Sequence, residues 1–233
     1  MSSEKNQSLF NLFPLALFRD KIELADHERE ILVNEILSQE KNSKNKINKG
    51  KQPAWTGDTQ GYEFLFKNEK FKKLFSLISL SIKKYTNIIG LNNDKFDFYY
   101  QRSWATISRS NENIFAHKHH QSHITFAYYL KKSKEDGNIN FHNQSQQNEV
   151  APQIFNARSV QGFFKTNLLN AEVATFSPEI DEILIFPSKT THSTSFNKTS
   201  LERISIAADV ILVAKDSVNS ENLLPPLGKW GKF

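Results

Sequence analysis

The chain has 233 residues with 38% hydrophobic and 12% aromatic side chains, which suits one domain with a substantial core and excludes global disorder. It contains no cysteine, so disulfides and thiolate metal ligands are excluded, and any metal would need the nitrogen and oxygen ligands that suit Fe(II), Mn, Zn or Ni. The net charge of +5 includes a lysine-rich run at 41–51 without aromatic residues, which indicates a solvated loop rather than a phosphate-binding surface.

The N-terminal segment 9–18 is hydrophobic but short. It is broken by Pro14 and lacks a basic region before it, so it does not have the form of a signal peptide. No other stretch is long enough to cross a membrane, and we expect a cytoplasmic protein without a membrane partner. Because proline disfavours the helical conformation of its neighbour, segment 12–18 is predicted to be extended.

Two helices are predicted next along the chain. The first begins after Asp26 as N-cap and fades near Gln39, whereas the second begins after Asn68 and stops at Gly90. The second has apolar residues at spacings of three and four, which is typical of a helix with one buried face. These residues are Phe71, Leu74, Phe75, Ile78, Ile82, Tyr85 and Ile89.

From residue 96 the pattern changes to the alternation of β-strands. Segment 96–107 alternates, and further strand-like runs are separated by glycine, proline and aspartate. They occupy 123–131, 138–141, 172–176, 182–186, 191–196 and 203–213. The order of elements predicts an α+β protein with an all-β core, a sandwich or barrel. We expect a single domain, 1–233, with an N-terminal helical part to about 95, a core over about 96–213 and a tail at 214–233.

A histidine cluster at 117–123 is the most informative stretch. Four of the seven histidines lie there, and imidazole is the commonest protein ligand of transition metals. Alternation along a strand would place His117 and His119 on the same face. His192, which follows an apolar strand and a turn, is the candidate for a third ligand from elsewhere in the fold.

Arg203 and Ser205 share one face of an otherwise apolar predicted strand. A buried guanidinium requires a partner, and its fork of donors suits a carboxylate. Two interpretations remain open from the residues themselves. The partner is either the carboxylate of a ligand, with Ser205 adding a hydrogen bond, or a structural acid such as Asp209 or Glu202.

The order of these motifs resembles the Fe(II)/2-oxoglutarate-dependent oxygenases. More narrowly, the chain is similar to the 2-oxoglutarate/Fe(II) oxygenase family of marine bacteria and their phages, over most of residues 9–213. The motifs that carry the resemblance are Leu12-Phe13-Pro14, Ala54-Trp55-Thr56-Gly57, Ser103-Trp104, His117-x-His119, Tyr128-Tyr129-Leu130, Gly137-x-Ile139-x-Phe141, Phe186-Pro187-Ser188 with His192, and Arg203-Ile204-Ser205.

The resemblance implies a double-stranded β-helix (jelly-roll) core preceded by helices, and an enzyme that uses Fe(II), 2-oxoglutarate and O2. The default reaction would be hydroxylation, with release of succinate and CO2. The sequence does not distinguish among substrate classes, and we expect a small-molecule or peptide substrate rather than nucleic acid. By position it assigns the metal to His117, His119 and His192. It assigns the cosubstrate to Arg203 and Ser205, with Tyr128 and Tyr129 as further candidates of which one is expected to pack in the core. Trp104 and Arg158 are candidate substrate contacts.

One position departs from the superfamily pattern. His119 stands where a carboxylate ligand is usual, so the metal would be bound by three neutral imidazoles. Alternatively, a carboxylate from elsewhere completes the site, or His117 only supports the ligands while His119 pairs with His120 or His123 around a bend. The candidate carboxylates are Glu112, Glu135 and Asp136.

Two other functions remain open at this point. The first is a cupin-like enzyme with three histidine ligands that does not use 2-oxoglutarate, for which Arg203 need not face the metal. The second is a non-catalytic binding module, which would bind no divalent metal.

Overall fold

The computed structural model describes residues 8–43, 54–155, 164–216, 218 and 221–233. Two α-helices and nine strands make up the regular structure of these residues. The helices are α1 (Asp26–Asn42) and α2 (Lys72–Ile88). The strands are β1 (Phe18–Lys21), β2 (Trp55–Thr56), β3 (Phe96–Ser108), β4 (Ile124–Lys131), β5 (Ile139–His142), β6 (Val173–Phe176), β7 (Glu182–Pro187), β8 (His192–Thr194) and β9 (Arg203–Ala214).

The strands form a large and a small antiparallel sheet. The large sheet has the order β1-β7-β4-β9-β3-β2, and the small sheet has the order β6-β5-β8. Strands β3 and β9 form the longest pairing, which runs from Phe96 opposite Ala214 to Ser108 opposite Arg203. The predicted α+β class is therefore confirmed in its coarse form, as a mixture of helices and antiparallel sheets.

The two faces of the large sheet differ in what they contact. One face packs against α1 and α2 in an apolar cluster that includes Ile36, Ile78 and Phe126. On the other face Leu184 and Phe186 of β7 pack against Ile139 and Phe141 of the small sheet. Because side chains alternate along each strand, the polar residues of β3, β4 and β9 on this second face are left to line a space between the sheets.

Several element boundaries differ from the prediction. The N-cap of α1 is Ala25, whose N–H donates to Glu28 at 3.2 Å, so Asp26 lies in the first turn, where an acid favours the helix dipole. Asn68 caps a short 3-10 turn that leads into α2, accepting from the N–H of Lys70 at 3.0 Å. Gly90, at φ +88°, follows the end of α2 as predicted.

Strand β1 was not predicted. The segment 12–18 was expected to be extended, but its last residue, Phe18, begins a strand that pairs with β7 up to Lys21. The strand predicted at 191–196 is shorter in the structure, where β8 covers His192–Thr194. Among the described residues no helix is long and apolar enough to cross a membrane.

Candidate active site

Three histidine side chains converge between the two sheets. His117 and His119 lie on the connection between β3 and β4, and His192 begins β8. One ring nitrogen of each lies within 4.8 Å of the others. The backbones of His117 and His192 exchange two hydrogen bonds of 2.9 Å, and the N–H of His119 donates to Ser188 O at 2.9 Å. The connection is therefore held against the start of β8 and the turn between β7 and β8, which places the rings side by side.

The Nδ1 atoms of His117 and His192 are both bound by backbone carbonyls. His117 Nδ1 donates to Phe115 O at 2.8 Å, and His192 Nδ1 donates to Thr190 O at 2.9 Å. A proton on Nδ1 leaves the lone pair of Nε2 free, and this is the form of imidazole that binds a metal. Burial lowers the pKa of both rings, that of His192 to about 3, so both are neutral near pH 7.

His119 is oriented by a buried carboxylate. Its Nδ1 lies 2.5 Å from Oδ1 of Asp209, which also accepts from the hydroxyl of Ser122 at 3.1 Å. The other carboxylate oxygen accepts from Arg102, at 3.0 Å from Nε and 2.7 Å from Nη2. All three histidines thus have Nδ1 engaged and Nε2 available. From the sequence, Asp209 was expected only as a possible partner of Arg203, and its contact with His119 was missed.

Arg203 is the second distinctive group of the site. Its side chain is buried and Nη1 donates to Asp136 O at 3.2 Å, but Nη2 has no hydrogen-bond partner among the residues that the structure describes. Glu202, one structural partner considered for it, pairs with Lys131 at 2.8 Å instead. Burial lowers the pKa of Arg203 because a charge without a full set of acceptors is costly inside a protein. The unsatisfied donor would be satisfied by an oxyanion of a bound ligand.

A cavity of about 950 Å³ opens at the histidines, whereas Arg203 lies outside its lining, close to Tyr129. Its wall includes all three histidines together with Tyr129 and Ser205, which lie directly opposite each other on β4 and β9. Burial raises the pKa of Tyr129 to about 12, so its hydroxyl remains a hydrogen-bond donor at neutral pH. The cavity therefore presents three potential metal ligands on one side and neutral hydroxyl donors near a cation on the other.

Comparison with known proteins identifies the domain. The family model described as "Putative 2OG-Fe(II) oxygenase" matches residues 102–209, the stretch that contains the three histidines, Arg203 and Asp209. This stretch is similar to the 2OG-Fe(II) oxygenase family. The match confirms the resemblance to that superfamily. No curated protein sequence matches the chain.

Solved structures of such oxygenases share the fold. The carbocyclase SnoK from nogalamycin biosynthesis matches with a TM-score of 0.57 at 11% identity, covering 94% of this chain and 90% of SnoK. A Pseudomonas putida prolyl-4-hydroxylase gives 0.53 at 10% identity, with 84% and 92% covered. HygX from Streptomyces hygroscopicus gives 0.52 at 13% identity, with 84% and 82% covered. At such low identity the likeness establishes the fold alone.

The structure corrects one assignment within the oxygenase domain. Tyr128 faces the helices, and its hydroxyl donates to Asp181 at 2.7 Å and to Ile22 O at 3.1 Å. Consecutive residues of a strand point to opposite faces, so only Tyr129 of the tyrosine pair reaches the cavity. Tyr128 is therefore not a cosubstrate contact.

The alternative metal ligands are also placed away from the histidine group. Glu112 accepts from the N–H of Arg109 at 2.8 Å, and Asp136 pairs with Lys132 at 2.9 Å. Neither of them, nor Glu135, belongs to the group that could hold a metal among the described residues. His120 is exposed at the cavity rim, whereas His123 Nδ1 accepts from the N–H of Leu212 at 3.0 Å. The rings brought together are those of His117, His119 and His192.

Of the two candidate substrate contacts, Trp104 lies among the described residues and Arg158 does not. Trp104 lines the cavity and stacks on His119, with ring centroids 5.6 Å apart and planes 18° from parallel. Its contact with substrate stays a prediction. Arg158 and residues 44–51 of the lysine-rich run lie outside the described residues.

Proposed function

We propose that the protein is an Fe(II)/2-oxoglutarate-dependent oxygenase whose reaction is hydroxylation of its substrate with release of succinate and CO2. The observation that carries the proposal is a cavity lined by three histidines with free Nε2 atoms and by Tyr129, next to a buried arginine whose Nη2 finds no acceptor among the described residues. Structural relatives were crystallised with 2-oxoglutarate and nickel or with iron, which is consistent with this reading.

Each group has a defined part in this proposal. His117, His119 and His192 hold Fe(II), and Arg203 with Ser205 and Tyr129 binds the far carboxylate of 2-oxoglutarate. Bound iron supplies O2 activation and the oxidative decarboxylation of the cosubstrate. The protein fixes the ligand tautomers through Nδ1 and keeps the Tyr129 hydroxyl protonated as a donor.

The donor set fits these two ligands chemically. Three neutral imidazoles with free Nε2 suit a divalent transition metal, and the planar guanidinium fork suits a carboxylate. Arg203 also argues against a three-histidine enzyme without 2-oxoglutarate, since such an enzyme would have no use for its unsatisfied donor.

We extend the proposal to the architecture and the substrate. The two sheets are the halves of a double-stranded β-helix within one domain, 1–233, with helices before the core and a tail after residue 213. The substrate is a small molecule or a peptide, and Trp104 beside His119 is placed to contact it. The structural neighbours include a prolyl-4-hydroxylase and a carbocyclase from nogalamycin biosynthesis.

An anaerobic titration with Fe(II) and 2-oxoglutarate tests the function. We expect a weak visible charge-transfer band when both are present, and succinate when O2 is admitted. No band and no succinate would refute the proposal, and a protein that binds no divalent metal would fit the binding-module alternative.

The variant Arg203→Ala separates the roles of the two ligands. Loss of a charge-assisted hydrogen bond predicts about 10- to 100-fold weaker 2-oxoglutarate binding with Fe(II) affinity unchanged. Arg203→Lys, which keeps the charge but not the fork, should lie between wild type and the alanine variant. Equal losses of iron and 2-oxoglutarate affinity would contradict the assigned role of Arg203.

A further inference from the structure

This inference rests on the proposed function and concerns the position where the chain departs from the superfamily pattern. Three imidazoles give Fe(II) no anionic protein ligand, whereas a direct carboxylate ligand would cancel one of its positive charges. Among the described residues, the acid that contacts a member of the histidine trio through a hydrogen bond is Asp209. It lies behind His119, at Nδ1, on the side away from the other two ring nitrogens that would bind metal.

We propose that Asp209 is a positioning residue that supplies the missing negative charge to the metal through the ring of His119. The 2.5 Å contact between Asp209 Oδ1 and His119 Nδ1 makes the imidazole a stronger donor at Nε2. The charge therefore acts across the ring instead of by direct ligation.

The surroundings of Asp209 fix it in this role. Its side chain is 3% exposed, and both carboxylate oxygens are engaged, one by His119 and Ser122 and the other by Arg102. Ser122 also donates to the hydroxyl of Ser188 at 2.7 Å. Because moving Asp209 toward the metal would break all of these bonds, it orients His119 and does not replace it.

Aromatic contacts hold the plane of the His119 ring, in addition to the hydrogen bond with Asp209 at its edge. Trp104 stacks on it, and the ring of His192 lies 5.4 Å away at 12° from parallel. The guanidinium of Arg102 lies 5.3 Å from the Trp104 ring while pairing with Asp209. Arg102 thus connects the carboxylate behind His119 to the indole above it, which leaves the ring one orientation.

The variant Asp209→Asn tests the charge with little change of shape, since asparagine keeps an oxygen that can accept from His119. We expect Fe(II) affinity, measured anaerobically by calorimetry, to fall about 10- to 100-fold. In the iron and 2-oxoglutarate complex the charge-transfer band should move to higher energy, because a more positive iron holds its d electrons more tightly. A purely structural role would not move the band.

Glu202→Gln is the matched control, because it removes one carboxylate charge just before β9 from a residue that pairs with Lys131. It should leave both iron affinity and the band unchanged. If Asp209→Asn binds iron like wild type with the same band, this inference fails while the proposed function stands. If wild type itself binds no iron, the proposed function fails.

A measurement on wild type covers the case in which Asp209→Asn does not fold. In the Zn(II)-loaded protein, a strongly downfield proton resonance correlated to the Nδ1 of His119 should persist, because that proton remains shared with Asp209. Its absence on loading would show that the contact is broken in the metal-bound protein and would overturn the inference.

Discussion

At the scale of single residues, Gly137 is required by the position of Arg203. Its φ is +101°, and a Cβ atom there would lie 2.6 Å from Arg203 Nη1 and 2.6 Å from Ser195 O. The first contact would displace the guanidinium, and the second is with backbone that cannot move aside easily. The glycine therefore belongs to the proposed cosubstrate site although it offers no side chain to it.

We predict that Gly137→Ala weakens 2-oxoglutarate binding by more than about 10-fold, as loss of one charge-assisted hydrogen bond would, while Fe(II) affinity changes little. Both constants come from the anaerobic titration. Gly61→Ala is the matched control, since φ there is +85° but no atom of the described part of the chain lies within 4 Å of the added atom. An unaltered 2-oxoglutarate constant in Gly137→Ala would show that Arg203 does not depend on this contact.

At the scale of elements, a buried ion pair fixes α1 to the large sheet. Arg29 of α1 donates from both terminal nitrogens to Asp181, each at 2.7 Å, and the side chains are 15% and 8% exposed. The hydroxyl of Tyr128 adds a third hydrogen bond to the same carboxylate. Asp181 has φ of 70°, a backbone conformation that aspartate and asparagine tolerate better than most residues.

Asp181→Asn keeps that conformation but removes the charge opposite Arg29. We expect it to lower the free energy of unfolding by about 2–3 kcal/mol, since breaking a buried pair leaves one charge uncompensated. Urea denaturation followed by circular dichroism gives the value. Glu69→Gln removes an acid from an exposed pair with Lys72 and should cost less than about 1 kcal/mol. Because Asp181 lies on the helix side of the sheet, a large loss of Fe(II) affinity would contradict this account.

At the scale of the whole molecule, the sequence allowed the elements with strong periodicity to be predicted. The stripe of α2 and the alternation at the start of β3 follow from burial of one face, whereas β4 and β9 are buried on both faces and were predicted as strand-like runs. Strand β1 could not be predicted in this way, because its four residues pair with β7 more than 160 positions along the chain. The same limit applies to Asp209. Its contact with His119 depends on how the connection after β3 lies beside β9, and no local pattern encodes that arrangement.

The stretch that matches the family model omits elements that contribute to the core of the protein. Segment 102–209 lacks both helices, β1 and β2, and residues of α1 and α2 share the apolar core of the large sheet. Without them an apolar sheet surface that includes Phe126 and Val210 would be exposed, which favours aggregation over folding.

We therefore predict that a chain of residues 96–233 is aggregated or unfolded and binds no Fe(II), as measured by size-exclusion chromatography, circular dichroism and calorimetry. A chain ending at residue 224 is the control, because it keeps the bridge of Leu224 to Val213 and removes only the end of the tail, where Trp230 and Phe233 are exposed. It should unfold cooperatively and bind iron like the full chain. A monomeric 96–233 chain with a cooperative transition would show that the core does not need the N-terminal helices, and the single-domain proposal would then be wrong.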